Sequence, residues 1–485
     1  MRDLLLFTIL LAVVITSPRR PFIGGLAWVF FGVMNPHRLT FGAAYDFPFS
    51  LVIAIVTLIG LIVSKDHRSW KGGAAGFALM AFALWNCITT VFAFNPDPSA
   101  AFLLRVLKVF AMTAVLCLLM HTKRDVIMLI ATLVVSLAFY GTKGGIFVIA
   151  TGGSYMVNGP PDSKMEGNNA LGVGLIMVIP LMYFLQQQVK QRWLRNIVIA
   201  STVLCSISVL GAYSRGAMLG LAAMATLLWL RGRNKLVMLV ATTVMVLAAI
   251  PAMPEQWFAK MNTLESYQDD NSAMFRLYAW ETAYNIAKDK FPVSGGFEWE
   301  GRNASLKYSP MPTLVLVPHS IYFQVIGSQG FIGLFLYLTF WILIWRQCGA
   351  LRKICRNQPD RQWAFSLASM IQVSLVGYAV GGAFLDLAFW DLPYYLFPAI
   401  VAANYAIRQN MANVKLGTAT NMLPSASAPA NAYQLPSGWV PQVDAADVLF
   451  KPVVTRFVNG IADVRFTQAD QSQRAQAPDG IPRRP

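Results

Sequence analysis

Of the four histidines in the chain, His319 stands where an imidazole could do chemistry. It follows Pro318 and opens an apolar run, 320–345, that reads as a helix entering the membrane. Ser320 is adjacent. Gly330 and Gly333 follow 11 and 14 residues later. At about 100° per residue they fall about 20° and −40° from His319, on one face of a straight helix. Glycines there let a second helix approach closely, which directs His319 into a helix–helix cleft. The positive end of a helix disfavours imidazolium and leaves the ring able to accept a proton. The alternative is an interfacial histidine that only caps a helix. His67 and His121 lie beside basic clusters and read as solvated loop residues. His37 sits in the turn Asn35-Pro36-His37-Arg38.

A second set of candidates is cationic. Arg105 and Lys108 lie one turn apart within the apolar run 100–120. Lone cations cost several kcal/mol in hydrocarbon, so this pair should face a polar cavity; the alternative is snorkelling to headgroups. Lys143, beside Gly144-Gly145, is a weaker candidate of the same kind. There is no Asp-x-Asp and no His/carboxylate cluster near His319, so no metal site and no cofactor are expected. Glu298-Trp299-Glu300 reads as a solvated turn.

The elements that must position these residues are membrane helices. Apolar residues make up 56% of the 485 and charged residues only 13%, too few to cover a soluble surface. Runs of spanning length occur at 74–94, 100–120, 171–185, 197–210, 236–250, 321–345 and 363–385. The runs 4–16 and 22–34 are short for a ~30 Å hydrocarbon core. The first resembles a signal-peptide core, but Ser17-Pro18-Arg19-Arg20-Pro21 is a poor cleavage site, so it reads as a retained helix. The expected fold is an all-α polytopic membrane protein of about 12–13 transmembrane helices, with the N-terminus outside if there are 13. The net charge of +16 does not indicate nucleic acid. Basic residues instead cluster between apolar runs: Arg19-Arg20, Lys65/Arg68/Lys71, Lys123-Arg124, Lys190/Arg192/Arg195, Arg231/Arg233/Lys235 and five within 346–361. Alternate connections are nearly uncharged, with Lys164 and Arg38 as isolated cations. The clusters therefore belong in the cytoplasm. The long connection 251–318, and His319 with it, belongs outside. Within that connection, 274–287 has helical periodicity and is expected to rest on the membrane face. The five cysteines lie outside it, so no disulfide is expected there. After about Arg408 the composition turns to Ala, Pro, Gln and Ser, as in a disordered cytoplasmic tail.

His319-Ser320, nine residues, then Gly330-Phe331-Ile332-Gly333 resembles the motif of the O-antigen ligase family. In that family, too, the histidine follows the large periplasmic loop. Tyr213-Ser214-Arg215-Gly216-Ala217 resembles the family's Ser-Arg-Gly segment. Arg276 with Trp280 resembles the Arg-x-x-x-Trp of its large loop, and Gly295-Gly296 the glycine pair after it. The N-terminal third is similar to a narrower group, the exosortase-A-associated O-glycosylation ligases. Met1-Arg2-Asp3-Leu4-Leu5, Arg20-Pro21-Phe22, Asn35-Pro36-His37-Arg38-Leu39 and Gly167-Asn168-Asn169-Ala170 carry that likeness. The resemblance covers roughly 1–408 and divides the chain into N-terminal helices (1–150), a ligase-like core (151–408) with the loop 251–318, and the tail (409–485).

The resemblance implies a GT-C-like glycosyltransferase of the inner membrane with its active site on the periplasmic side. Such an enzyme moves a glycan from undecaprenyl pyrophosphate to an acceptor hydroxyl of a lipid, protein or sugar, by inversion and without a metal. His319 would be the general base. Arg215 and Arg276 would stabilise the pyrophosphate, with Arg105, Lys108, Lys143 and Ser320 lining the substrate site. Arginine suits that task, being permanently charged and bidentate. Arg215 could otherwise be an interface anchor, and Arg276 a solvated loop charge. A polymerase sharing the donor is a close rival. A transporter or flippase for lipid-linked sugars is a different class, against which stands the lack of an inverted repeat or paired broken helices.

Overall fold

A backbone in lipid must satisfy its own hydrogen bonds, and a helix does so within one segment. The computed structural model describes residues 1–64, 70–231, 271–422, 450–458 and 461–468. Its contacts divide the chain into a helical unit, Met1–Lys415, and a C-terminal unit, Leu416–Pro485.

The helical unit begins with α1 (Arg2–Thr16), α2 (Pro21–Met34), α3 (Phe49–Val63), α4 (Gly73–Val91) and α5 (Pro96–Leu119). It continues with α6 (Lys123–Ala150), α7 (Asn168–Gln188), α8 (Arg192–Gly211) and α9 (Arg215–Arg231). After the long connection come α10 (Asn271–Asp289), α11 (Arg302–Tyr308), α12 (Ile321–Cys355), α13 (Gln362–Gly381), the single turn α14 (Asp391–Tyr394) and α15 (Leu396–Met422). Local chemistry sets several starts. Proline opens α2 and α5, where a missing N–H is harmless. A reciprocal capping box between Thr122 and Asp125 opens α6.

Seven described helices are long and apolar enough to cross a membrane: α4, α5, α6, α7, α8, α12, and α13 with its flanking 3-10 turns. α2 and α3 are apolar but shorter. At 1.5 Å per residue they reach roughly 21–23 Å, against a core of ~30 Å. The helical unit is thus an all-α polytopic membrane fold. The expected run 236–250 lies outside the described residues. Large parts of α7 and α13 are buried, and α13 packs against α7, α9 and α12, so these two form the middle of the bundle. All five cysteines are free thiols.

Three expectations need correction. α10 does not lay its apolar stripe on the membrane. Ala279, Ala283, Ile286 and Ala287 are fully buried, and the helix packs along α12. Small residues at helical spacing permit that close approach. α12 is also not straight. Gly330 has φ 70° and ψ −171°, so the helix breaks there. Finally, the tail contains regular structure in two described segments: Phe450–Val458 pairs antiparallel with Ile461–Gln468. Both are rich in β-branched and aromatic residues, the composition of a half-buried ribbon.

Candidate active site

The break at Gly330 organises the site. Carbonyls in the turn before a helix break lose their partners four residues on. Here the extended segment 294–296 supplies them. Gly295 N donates to Gly327 O at 3.1 Å, and Gly296 N to Ser328 O at 3.1 Å. Ser294 Oγ donates to Ile326 O at 3.0 Å and to Gly327 O at 2.8 Å. From α4, Trp85 Nε1 donates to Gln329 O at 2.8 Å. A Cβ at Gly330 would meet Val293 O at 2.8 Å. The glycines of the His–Gly pattern therefore do admit close neighbours: at Gly330 it is the loop after α10, and at Gly333 it is a second helix, α4, whose Trp85 Cδ1 would stand 3.3 Å from a Cβ there.

α10 then reaches the start of α12. Trp280 stacks on Phe323, with centroids 4.9 Å apart and planes 3° apart, and its Nε1 donates to Pro318 O at 2.6 Å. Pro318 immediately precedes His319. His319 itself has φ 42°, a left-handed conformation held by this anchorage. Ser320 is buried and occupies the N-cap of α12. Arg276 is half-buried one turn before Trp280 on α10.

The partner of His319 is Asp386. Its Oδ1 lies 3.5 Å from His319 Nδ1. That is long for a hydrogen bond, yet catalytic contacts often tighten only when substrate binds. The loop bearing Asp386 is tied down on both sides. Ala388 N donates to Gln324 Oε1 at 3.0 Å, one turn into α12. Tyr378 Oη donates to Leu387 O at 2.9 Å, and Tyr394 Oη to Ala388 O at 2.8 Å. Burial alone would push the Asp386 carboxyl up. The adjacent His319 ring and the Lys164 ammonium more than offset this, and the carboxyl sits below its ordinary value. Asp386 is therefore a carboxylate at neutral pH, placed to receive Nδ1–H and to leave Nε2 as the proton acceptor.

The start of α9, which opens with Arg215, leans on the same loop. A Cβ at Gly216 would meet Phe384 Cβ at 3.2 Å, and one at Gly382 would meet Ile321 at 3.1 Å. The starts of α9 and α12 therefore both lean on the turn that leads to Asp386. Tyr213, with φ 52°, donates its hydroxyl to Gly153 O and turns the chain into α9.

The remaining cations are distributed differently from expectation. The Arg105 guanidinium lies 6.0 Å from the centre of the Phe102 ring, and the Lys164 ammonium 5.4 Å from the same ring. Phe102 stacks on Phe297 at 4.9 Å, which joins both cations to the loop after α10. Arg105 is thus at the edge of the site, although its side chain is exposed and not enclosed in a cavity. Lys108 is exposed one turn further down α5. Lys143 lines an apolar groove with Phe139, Ile146 and Ser201.

Sequence reading missed Asp386, Lys164 and Glu300. Lys164 had one signal, as an isolated cation in an otherwise nearly uncharged connection. Asp386 had none, because its loop reads as the end of an apolar run. Glu300 is half-buried, not a solvated turn residue. Burial, with help from Glu298 and Asp386, pushes its carboxyl up to about 7, against the pull of Lys164. Among the described residues, no three His, Cys, Asp or Glu side chains converge as metal ligands.

Comparison with known families bears on this geometry directly. Residues 200–338 match the O-antigen ligase family. Arg215, Arg276, Trp280, Gly295-Gly296, His319, Gly330 and Gly333 all fall within the matched segment. The O-antigen ligase segment ends before Asp386, which α13 returns to it. Residues 1–190 match a family of unknown function (DUF5935) and include Arg105, Lys108, Lys143 and Lys164. No curated protein matches the chain.

Proposed function

We propose that the protein is a glycan ligase. It transfers an oligo- or polysaccharide from undecaprenyl pyrophosphate to an acceptor hydroxyl at the periplasmic face of the inner membrane. The observation that carries this reading is the His319–Asp386 pair, whose histidine shares with Arg215 and Arg276 a segment matching O-antigen ligases. A sugar or Ser/Thr hydroxyl is a weak nucleophile and needs a base. His319 Nε2 takes its proton while Asp386 steadies the ring through Nδ1. The acceptor oxygen bonds to the anomeric carbon, the bond from that carbon to the pyrophosphate oxygen breaks, and the electron pair leaves with the pyrophosphate. Arg215 and Arg276 offset the charge that develops there. A single in-line displacement inverts the anomeric carbon and needs no covalent intermediate.

A polymerase extending the same glycan uses the same donor chemistry and is the second reading. The exosortase-linked likeness of the first third favours protein or exopolysaccharide acceptors. Reconstitution in liposomes with a lipid-pyrophosphate glycan and separate lipid, peptide and saccharide acceptors tests the proposal, with products identified by mass spectrometry. A glycan joined to an added acceptor supports a ligase, and a lengthened lipid-linked glycan a polymerase. Glycan carried across the bilayer without transfer would overturn both.

A further inference from the structure

At the end of α12 opposite His319, roughly 50 Å of helix away, lies a second polar site. A cavity of about 730 Å³ is lined by Arg231 from the end of α9, Arg352, Lys353 and Arg356 from the end of α12, and Phe365 from α13. Four cations thus share one wall. Among the described residues none of them makes an ion pair: the nearby Asp360 is engaged by Arg361 at 3.3 Å. Arg352 acts on Arg231 as a like charge, and Arg356 on Arg352, so the cluster is self-repelling.

A solvated basic loop would place its donors in water. Here, among the described residues, Arg231 Nη1 and Arg352 Nε are buried without a hydrogen-bond partner. The rest of each guanidinium is held in place. Arg231 lies over the Trp345 ring at 5.5 Å, and Arg352 over Phe365 at 5.5 Å. Arg352 Nη1 donates to Gln372 Oε1 at 3.0 Å, and Gln372 Nε2 to Trp345 O at 3.0 Å. Two planar guanidinium forks held in place, and two flexible ammonium or guanidinium arms at the rim, match a tetrahedral oxyanion.

We propose that this cavity binds a phosphate group. Its most fitting source is the headgroup of an anionic phospholipid, because tryptophan and phenylalanine rings flank the cations where the apolar helices end. A free phosphate ion shares the chemistry. The proposal concerns binding at the far end of α12 and does not depend on the transfer reaction.

The test uses the full-length protein in detergent. Native mass spectrometry would compare phosphatidylglycerol, phosphatidylcholine and no lipid. A parallel thermal-shift titration would add inorganic phosphate. The wild type should retain phosphatidylglycerol at least tenfold better than phosphatidylcholine and gain thermal stability from it. Arg231→Gln with Arg352→Gln should remove that preference. Lys353→Gln with Arg356→Gln changes only exposed rim residues, so it should fold normally and weaken the preference severalfold. Stabilisation by inorganic phosphate that both double variants lose, without lipid preference, would support the phosphate site and assign it to the soluble ion. Equal retention of the two lipids with no response to phosphate, or a preference that survives both double variants, would overturn the proposal.

Discussion

Trp280 on α10 donates its indole N–H to the carbonyl of Pro318 at 2.6 Å, and so fixes the backbone immediately before His319. The same ring lies flat on Phe323, one turn inside α12. The pairing explains why an Arg-x-x-x-Trp segment belongs beside a histidine that opens a helix. Tryptophan fixes the backbone before the proposed base, and the arginine one turn earlier shares its side of α10. Trp280→Phe keeps a ring for the stack and removes the donor. Turnover should fall about tenfold or more, since small misplacements of a base are expensive, while donor KM changes little. Unchanged turnover would show that the bond does not position His319.

His319→Ala should lower turnover by about 10²–10⁴-fold while the protein folds and binds donor. Asp386→Asn should lower it less, and Asp386→Glu should recover part of that loss. Single-turnover assays with donor-binding measurements separate the cases. If His319→Ala abolished donor binding instead, the ring would belong to the pyrophosphate site. Full activity in Asp386→Asn would make the 3.5 Å contact incidental.

Arg215→Lys keeps the charge and loses the planar two-donor fork. Turnover should fall about 10²-fold, with Arg276→Lys showing a comparable loss. Arg215→Lys with normal transfer would reduce that residue to a helix-end anchor.

Glu300 gives a pH signature. Its folded value of about 7 exceeds its usual 4.5, chiefly because burial penalises the charge. The folded state is therefore unpenalised below about 4.5 and loses stability as pH rises through about 7. Glu300→Gln should match wild type in thermal unfolding near pH 4.5 and exceed it by at least ~2 °C at pH 8. A difference independent of pH would place the Glu300 carboxyl in water.

Gly330→Ala should destabilise the fold, by about 1–3 kcal/mol from the backbone conformation alone, with a further contribution from the 2.8 Å approach to Val293 O. Gly301→Ala is the control, because its Cβ would stand 3.8 Å from the Asn95 side chain. Equal melting temperatures for the two variants would show that the break in α12 carries no strain.

The sequence alone was sufficient for the membrane class, the helical runs, and the placement of His319 at a helix start after a long loop. Hydropathy and charge are summed over many residues, and the bilayer reads them locally. His319, Arg215 and Arg276 stood out as candidates for a related reason: they sit at helix ends or in a short helical pattern, where local spacing determines position. What only the tertiary structure decided is which of them acquire partners. Asp386 is 67 residues from His319 in sequence, and a hydrophobic loop hides it. Gln324, Tyr378 and Tyr394 bring it back by hydrogen bonds that no periodicity encodes. The same holds for the glycines. A straight helix put Gly330 on the face of His319, whereas the folded chain uses it to break α12 and seat 294–296. That Lys108 is exposed on α5 and Lys143 lines an apolar groove was likewise left to the tertiary structure, because the direction in which a helix points a side chain depends on how that helix packs.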